Sequence, residues 1–114
     1  MPTRYYLSLP DPQRARGSDA SLAFSAHGAE EFAAQLQDAL RTTALFERWR
    51  GQQEDPDAVD PGLGATDPQA TVQGAQDHLH VDLVVTSSIP GNVLKHRLRL
   101  LAGGGWELRD VKSA

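Results

Sequence analysis

His78, His80 and Asp82 alternate along an apolar-patterned stretch, so a strand there would project two imidazoles and a carboxylate from one face. That donor set can contribute to a metal site. Zinc needs a third or fourth ligand converging from another element, and the sequence identifies none; His27 is the only histidine outside 78–96. The expectation is therefore an exposed polar strand face, with no metal and no cofactor assigned.

The other candidates are weaker. His96 falls opposite Asp110 in the strand pairing set out below, a dyad that could orient an imidazole for general-base work. No Gly-x-Ser-x-Gly context surrounds Ser87 or Ser88 to supply a nucleophile, so a cross-strand polar pair is expected and no catalytic residue is assigned. The acidic stretch from Asp55 to Gly62 lacks the ligand spacing and the terminal glutamate of a calcium loop. Gly103, Gly104 and Gly105 lack the Lys-Ser/Thr ending of a phosphate loop and read as turn chemistry.

Two surfaces remain as binding candidates. Lys95, Arg97, Arg99 and Arg109 would share one sheet face, an anion-binding or nucleic-acid-binding surface. Asp82 and Glu107 would flank Arg99, and no aromatic platform joins the cations. The second surface is apolar: Phe46 and Trp49 are neighbours in a helical segment, and Val84 and Val111 stand among the charges of the outer sheet face.

The elements that would position these residues centre on 77–111. Leu79, Val81, Leu83 and Val85 alternate with polar residues, and tight-turn sequences follow at Ile89-Pro90-Gly91-Asn92 and Ala102-Gly103-Gly104-Gly105. This is the pattern of a three-stranded antiparallel meander, with Leu83 facing Leu98 and Asp82 facing Arg99. Leu98→Ala should then cost ~2–5 kcal/mol as a core truncation, and Arg97→Ala little as a surface change. The competing reading makes 93–101 a helix, because Val93, Leu94, Arg97, Leu98 and Leu101 also fall near one helical face. That alternative would be a ferredoxin-like β-β-α-β-α-β variant. The strand is preferred because Gly91 and Asn92 are poor first-turn residues.

Upstream, Arg4–Leu9 reads as a first strand and Leu22–Ala26 as a second. An amphipathic helix opens after Gly28, with Glu30 and Glu31 in its first turn and Phe32, Leu36, Ala39 and Leu40 on one face. Continued to Arg50 it would overshoot a short strand, so a break is expected at Thr42-Thr43, where β-branched hydroxyl residues compete for backbone groups. The predicted fold is α+β: an antiparallel sheet with one main helix on one face, in the order β-β-α-β-β-β.

At 114 residues the chain suits a single domain. Residues 51–77 hold six acidic residues, three Asp-Pro pairs and no lysine or arginine, and are expected to form a mobile acidic loop. With no cysteine, disulfides, thiolate metal sites and cysteine nucleophiles are excluded. No run approaches the ~20 apolar residues of a membrane span, and no signal-peptide pattern opens the chain, so a cytoplasmic location is expected. Nine arginines against two lysines, with abundant alanine, suit a GC-rich bacterial genome. The expected function is a non-enzymatic protein-interaction module that binds a protein partner or a second copy of itself; the alternative is anion or nucleic-acid binding.

Overall fold

A computed structural model describes residues 2–113. Strand β1 (Thr3–Leu9) is followed by helix α1 (Ala29–Arg41), helix α2 (Ala44–Arg50), strands β2 (Thr71–Asp77) and β3 (His80–Ser87), helix α3 (Gly91–Ala102) and strand β4 (Glu107–Ser113). The four strands form one sheet in the order β2-β3-β1-β4, every neighbouring pair antiparallel. Two strand-helix-strand crossovers thus interleave, the split βαβ arrangement.

The α+β class and the antiparallel sheet agree with the sequence reading; the order of elements differs. Residues 93–101 are not the middle strand of a meander but lie in α3. Val93, Leu94, Leu98 and Leu101 are buried along one side of it while Leu100 is only half-buried, the distribution a helix imposes and a strand would not. Pro90 stands at the N-cap, and its carbonyl accepts from Val93 and Leu94 N–H. Gly91 and Asn92 are weak first-turn residues, but burying four apolar side chains outweighs a propensity penalty of about 1 kcal/mol.

The place beside β3 that the meander reserved for 95–101 belongs to β1. Leu83 pairs with Leu7 and Val85 with Tyr5, and β1 is flanked on its other side by β4. Tyr5, Leu7 and Leu9 alternate along β1 on its helix side, and Ser8 on the other face is also buried.

Leu22–Ala26 is likewise not a strand. Its alternation is real, with Leu22, Phe24 and Ala26 all buried. Its backbone bonds elsewhere: the N–H groups of Phe24 and Gly17 both donate to Leu101 O, a carbonyl left free at the end of α3. The segment caps a helix instead of joining a ladder.

The break between α1 and α2 falls at Thr42-Thr43, as expected. Thr42 Oγ1 donates to Asp38 O at 3.1 Å and accepts from Ala44 N at 3.4 Å, the competition for backbone groups that ends α1. The turn lets α2 fold back. Leu45 and Phe46 are buried, and Trp49 packs against the core. Phe32, Leu36 and Leu40 of α1 fill the space between helix and sheet. At the N-terminus of α1 the approach is so close that a Cβ at Gly74 would lie 2.3 Å from Ala29 O.

The acidic segment contributes more to the fold than its composition suggested. It includes β2, and before it two short helical turns at Pro56–Ala58 and Pro61–Gly64. Asp67 anchors its end: Oδ2 accepts from Ser87 Oγ at 2.9 Å and Ser88 N at 3.0 Å, and Oδ1 from Gln69 N at 3.0 Å. These donors hold the Asp67 carboxyl below the usual carboxylate range.

Arg97, expected on a solvated face, is fully buried. Nη1 donates to Ala39 O at 2.9 Å, and Nη2 to Leu63 O at 2.8 Å and Ala65 O at 2.9 Å. The guanidinium also lies 5.9 Å from the Phe46 ring. It joins α1, α2 and the second short turn to α3. The expectation for its substitution therefore reverses. Arg97→Ala leaves three carbonyls without their donor and should cost roughly 2–4 kcal/mol in chemical denaturation. Lys95→Ala, two residues away on the exposed side of the same helix, should stay within about 0.5 kcal/mol.

Candidate functional site

The four cations of the expected anion face do not share a surface. Lys95, Arg97 and Arg99 are on α3, not on a sheet, and Arg97 is inside while the other two are exposed. Arg109 is on β4, donating to Glu107 Oε2 at 3.0 Å. The grouping depended on 93–101 being a strand, and a helix spreads those side chains around its axis.

The apolar candidates are also redistributed. Phe46 is buried beneath its own chain, so close to the second short turn that a Cβ at Gly64 would lie 2.7 Å from its ring. Trp49 is half-buried, its ring centroid 5.9 Å from that of Phe46 and 4.4 Å from that of His96, edge-on. Val84 does occupy the sheet face away from the helices, half-buried beside its pairing partner Tyr6. Val111 pairs with Tyr5 and so stands on the helix side of the sheet, 47% exposed because β4 lies at the edge. Leu108, opposite Leu7, is similarly open at 38%.

His96 is not opposite Asp110. It packs on Trp49, while Asp110 sits on β4 with Lys112 Nζ 3.6 Å from its carboxylate. Burial, then the charges of Arg97 and Arg99, lower the His96 pKa below its ordinary value of 6.5. Its Nδ1 is buried with no hydrogen-bond partner among the described residues. Ser87 Oγ is engaged by Asp67 and by Ile89 N–H, a structural lock and not a nucleophile's setting.

The His78, His80 and Asp82 pattern is resolved in part. His80 and Asp82 share the outer face of β3, but His78 sits in the β2–β3 turn at φ 55° with its side chain exposed. The residue missed from sequence is Asp77, assigned to the acidic loop. It ends β2 directly opposite His80. Asp77 Oδ2 and Asp82 Oδ1 lie 3.6 and 3.4 Å from His80 Nε2. The available signal was the short turn between two segments of strand length, Thr71–Asp77 and His80–Ser87.

Near that turn an open cleft is lined by Arg16, His27, Phe32, Gln76, His78 and Leu79. Arg16 lies 5.3 Å from the Phe32 ring and donates through Nη2 to Ala26 O. No helix among the described residues is long and apolar enough to cross a membrane. Compared with protein-family models, curated proteins and solved structures, the chain finds no match in any of the three.

The His96–Trp49 contact has a defined pH response. The folded pKa lies below the unfolded value of 6.5, so the unfolded chain takes up the proton first. Stability is full above that value and falls as the pH drops through it towards the folded pKa. Thermal unfolding followed between about pH 7.5 and 5.5 should show this loss, and His96→Phe, which keeps a ring against Trp49, should flatten it.

Proposed function

We propose that the protein is a small non-enzymatic interaction module whose partner is a second copy of itself, joined through the edge of β4. The observation that carries this reading is the contrast between the two edges of the sheet. At the β2 edge, Gln37 Oε1 accepts from Val72 N–H at 3.0 Å, Arg41 Nε donates to Ala70 O at 2.6 Å, and the start of α1 presses on Gly74. The first half of that edge, through Gly74, is covered by α1, while the hairpin end stays exposed. All seven residues of β4 are exposed, Leu108 and Val111 among them, and an uncovered strand with apolar side chains is a template for another strand.

Charge supports a copy of the same chain as the occupant. Laid antiparallel about a two-fold axis at Val111, β4 sets Val111 against Val111 of the partner subunit on the helix side. On the other side Asp110 meets Lys112 of the partner subunit, and the axis repeats the pair. Centring on Asp110 or on Arg109 would oppose like charges, which disfavours those registers. Phe46 and Trp49, satisfied within the chain, drop out of the interface; Val84 stays as an apolar point on the open sheet face.

The alternative, anion or nucleic-acid binding, drew on four cations side by side and now has only Lys95 and Arg99 exposed on one element. A cytoplasmic setting remains part of the proposal. Size-exclusion chromatography with light scattering should give a dimer mass that falls to monomer on dilution, and Val111→Lys should give monomer at all concentrations by placing two ammonium groups face to face. A wild-type chain that is monomeric throughout would remove the reading.

A further inference from the structure

The β2–β3 hairpin carries an arrangement that self-association through β4 does not use. Asp77 pairs with His80 and Ala75 with Asp82, so Asp77, His80 and Asp82 all emerge on the sheet face away from the helices. One donor atom from each lies within 4.8 Å of the other two. His80 Nε2 is 3.6 Å from Asp77 Oδ2 and 3.4 Å from Asp82 Oδ1. Both distances exceed the ~2.7–2.9 Å of a charge-assisted N–H···O bond. They match the roughly 3.4 Å that separates two ligands each about 2.1 Å from a tetrahedral ion.

We propose that Asp77, His80 and Asp82 bind a divalent cation of the late first row, Zn2+ being the type case, with water completing the tetrahedron. The donor set selects the metal. Ca2+ and Mg2+ require a shell of about six or more oxygens, whereas one imidazole nitrogen with two carboxylate oxygens suits Zn2+ and its neighbours. Charge agrees as well, because a neutral imidazole and two carboxylates balance a 2+ ion. The imidazole is what distinguishes this cluster from an ordinary acidic patch.

The scaffold is braced for the purpose. Asp82 leaves β3 where it is paired on both sides, His80 is paired with Asp77 at the strand's start, and the turn joining them is tied by Gln76 Nε2, which donates to His78 O at 3.0 Å and His80 O at 3.1 Å. The three side chains are 36–56% exposed, so an ion reaches them without opening the core. His78 is outside the set: its Nε2 is 3.7 Å from the other oxygen of Asp77, and its side chain is 92% exposed.

The test is titration of the full chain with Zn2+ by calorimetry, and with Co2+ by visible absorption, whose intensity reports tetrahedral geometry. One ion per chain is expected. His80→Ala and Asp82→Asn should each weaken Zn2+ roughly tenfold or more, while His78→Ala should stay within about threefold. Melting of each variant without metal checks that the fold persists. No saturable binding by the wild-type chain overturns the site, as does binding that survives His80→Ala unchanged, which would place the ion elsewhere.

Discussion

A fully buried guanidinium that pairs with no carboxylate among the described residues joins the helices of this molecule, and their arrangement follows from how that charge is accommodated. Burying a cation is costly unless its donors are satisfied, and Arg97 meets most of that requirement by donating Nη1 and Nη2 to three backbone carbonyls, while Nε is buried without a partner among the described residues. One of them, Ala39 O, belongs to the last turn of α1, where helical carbonyls lack partners and carry the negative end of the dipole. The other two belong to 63–65, a stretch with little apolar surface of its own to bury. Burial alone lowers the Arg97 pKa, and its usual value is high enough for the group to remain charged. The cation thus replaces a hydrophobic anchor that the linker lacks.

Much of the fold was legible because local and global preferences coincide. The face of α1 that buries Phe32, Leu36, Ala39 and Leu40 was readable from spacing, the break at Thr42-Thr43 from hydroxyl chemistry, and the inward set of β3 from strict alternation. Residues 93–101 were not, because Leu98 and Leu100 satisfy a period of two while Val93, Leu94, Leu98 and Leu101 satisfy one of 3.6. What decides between them is non-local: β1 already occupies the strand position next to β3, and the sheet still needs a second helical cover. The same limit explains Leu22–Ala26, whose alternation is correct and whose partner, Leu101 O, lies nearly eighty residues away.

The candidate sites follow the same division. His80 and Asp82 could be placed on one face from spacing alone, since both lie on one strand. Asp77 could not, because its position depends on a turn of two residues closing a second strand out of an acidic, glycine-containing stretch. The cation face failed for the converse reason: four residues were grouped by a backbone geometry that one of them, Arg97, excludes by being inside.

The placement of β1 bears on how the chain acquires its structure during synthesis. The first strand of the sheet to be made is an interior one, whose neighbours are 81–87 on one side and 107–113 on the other. Until β3 has been made, Tyr5, Leu7 and Leu9 have no ladder to join, which leaves the apolar side of β1 exposed to misassociation. Such long separations between paired segments slow folding, because loop closure comes before the contacts that reward it. The ladder on the second flank of β1 closes only once β4, the last strand of the sheet, has been made.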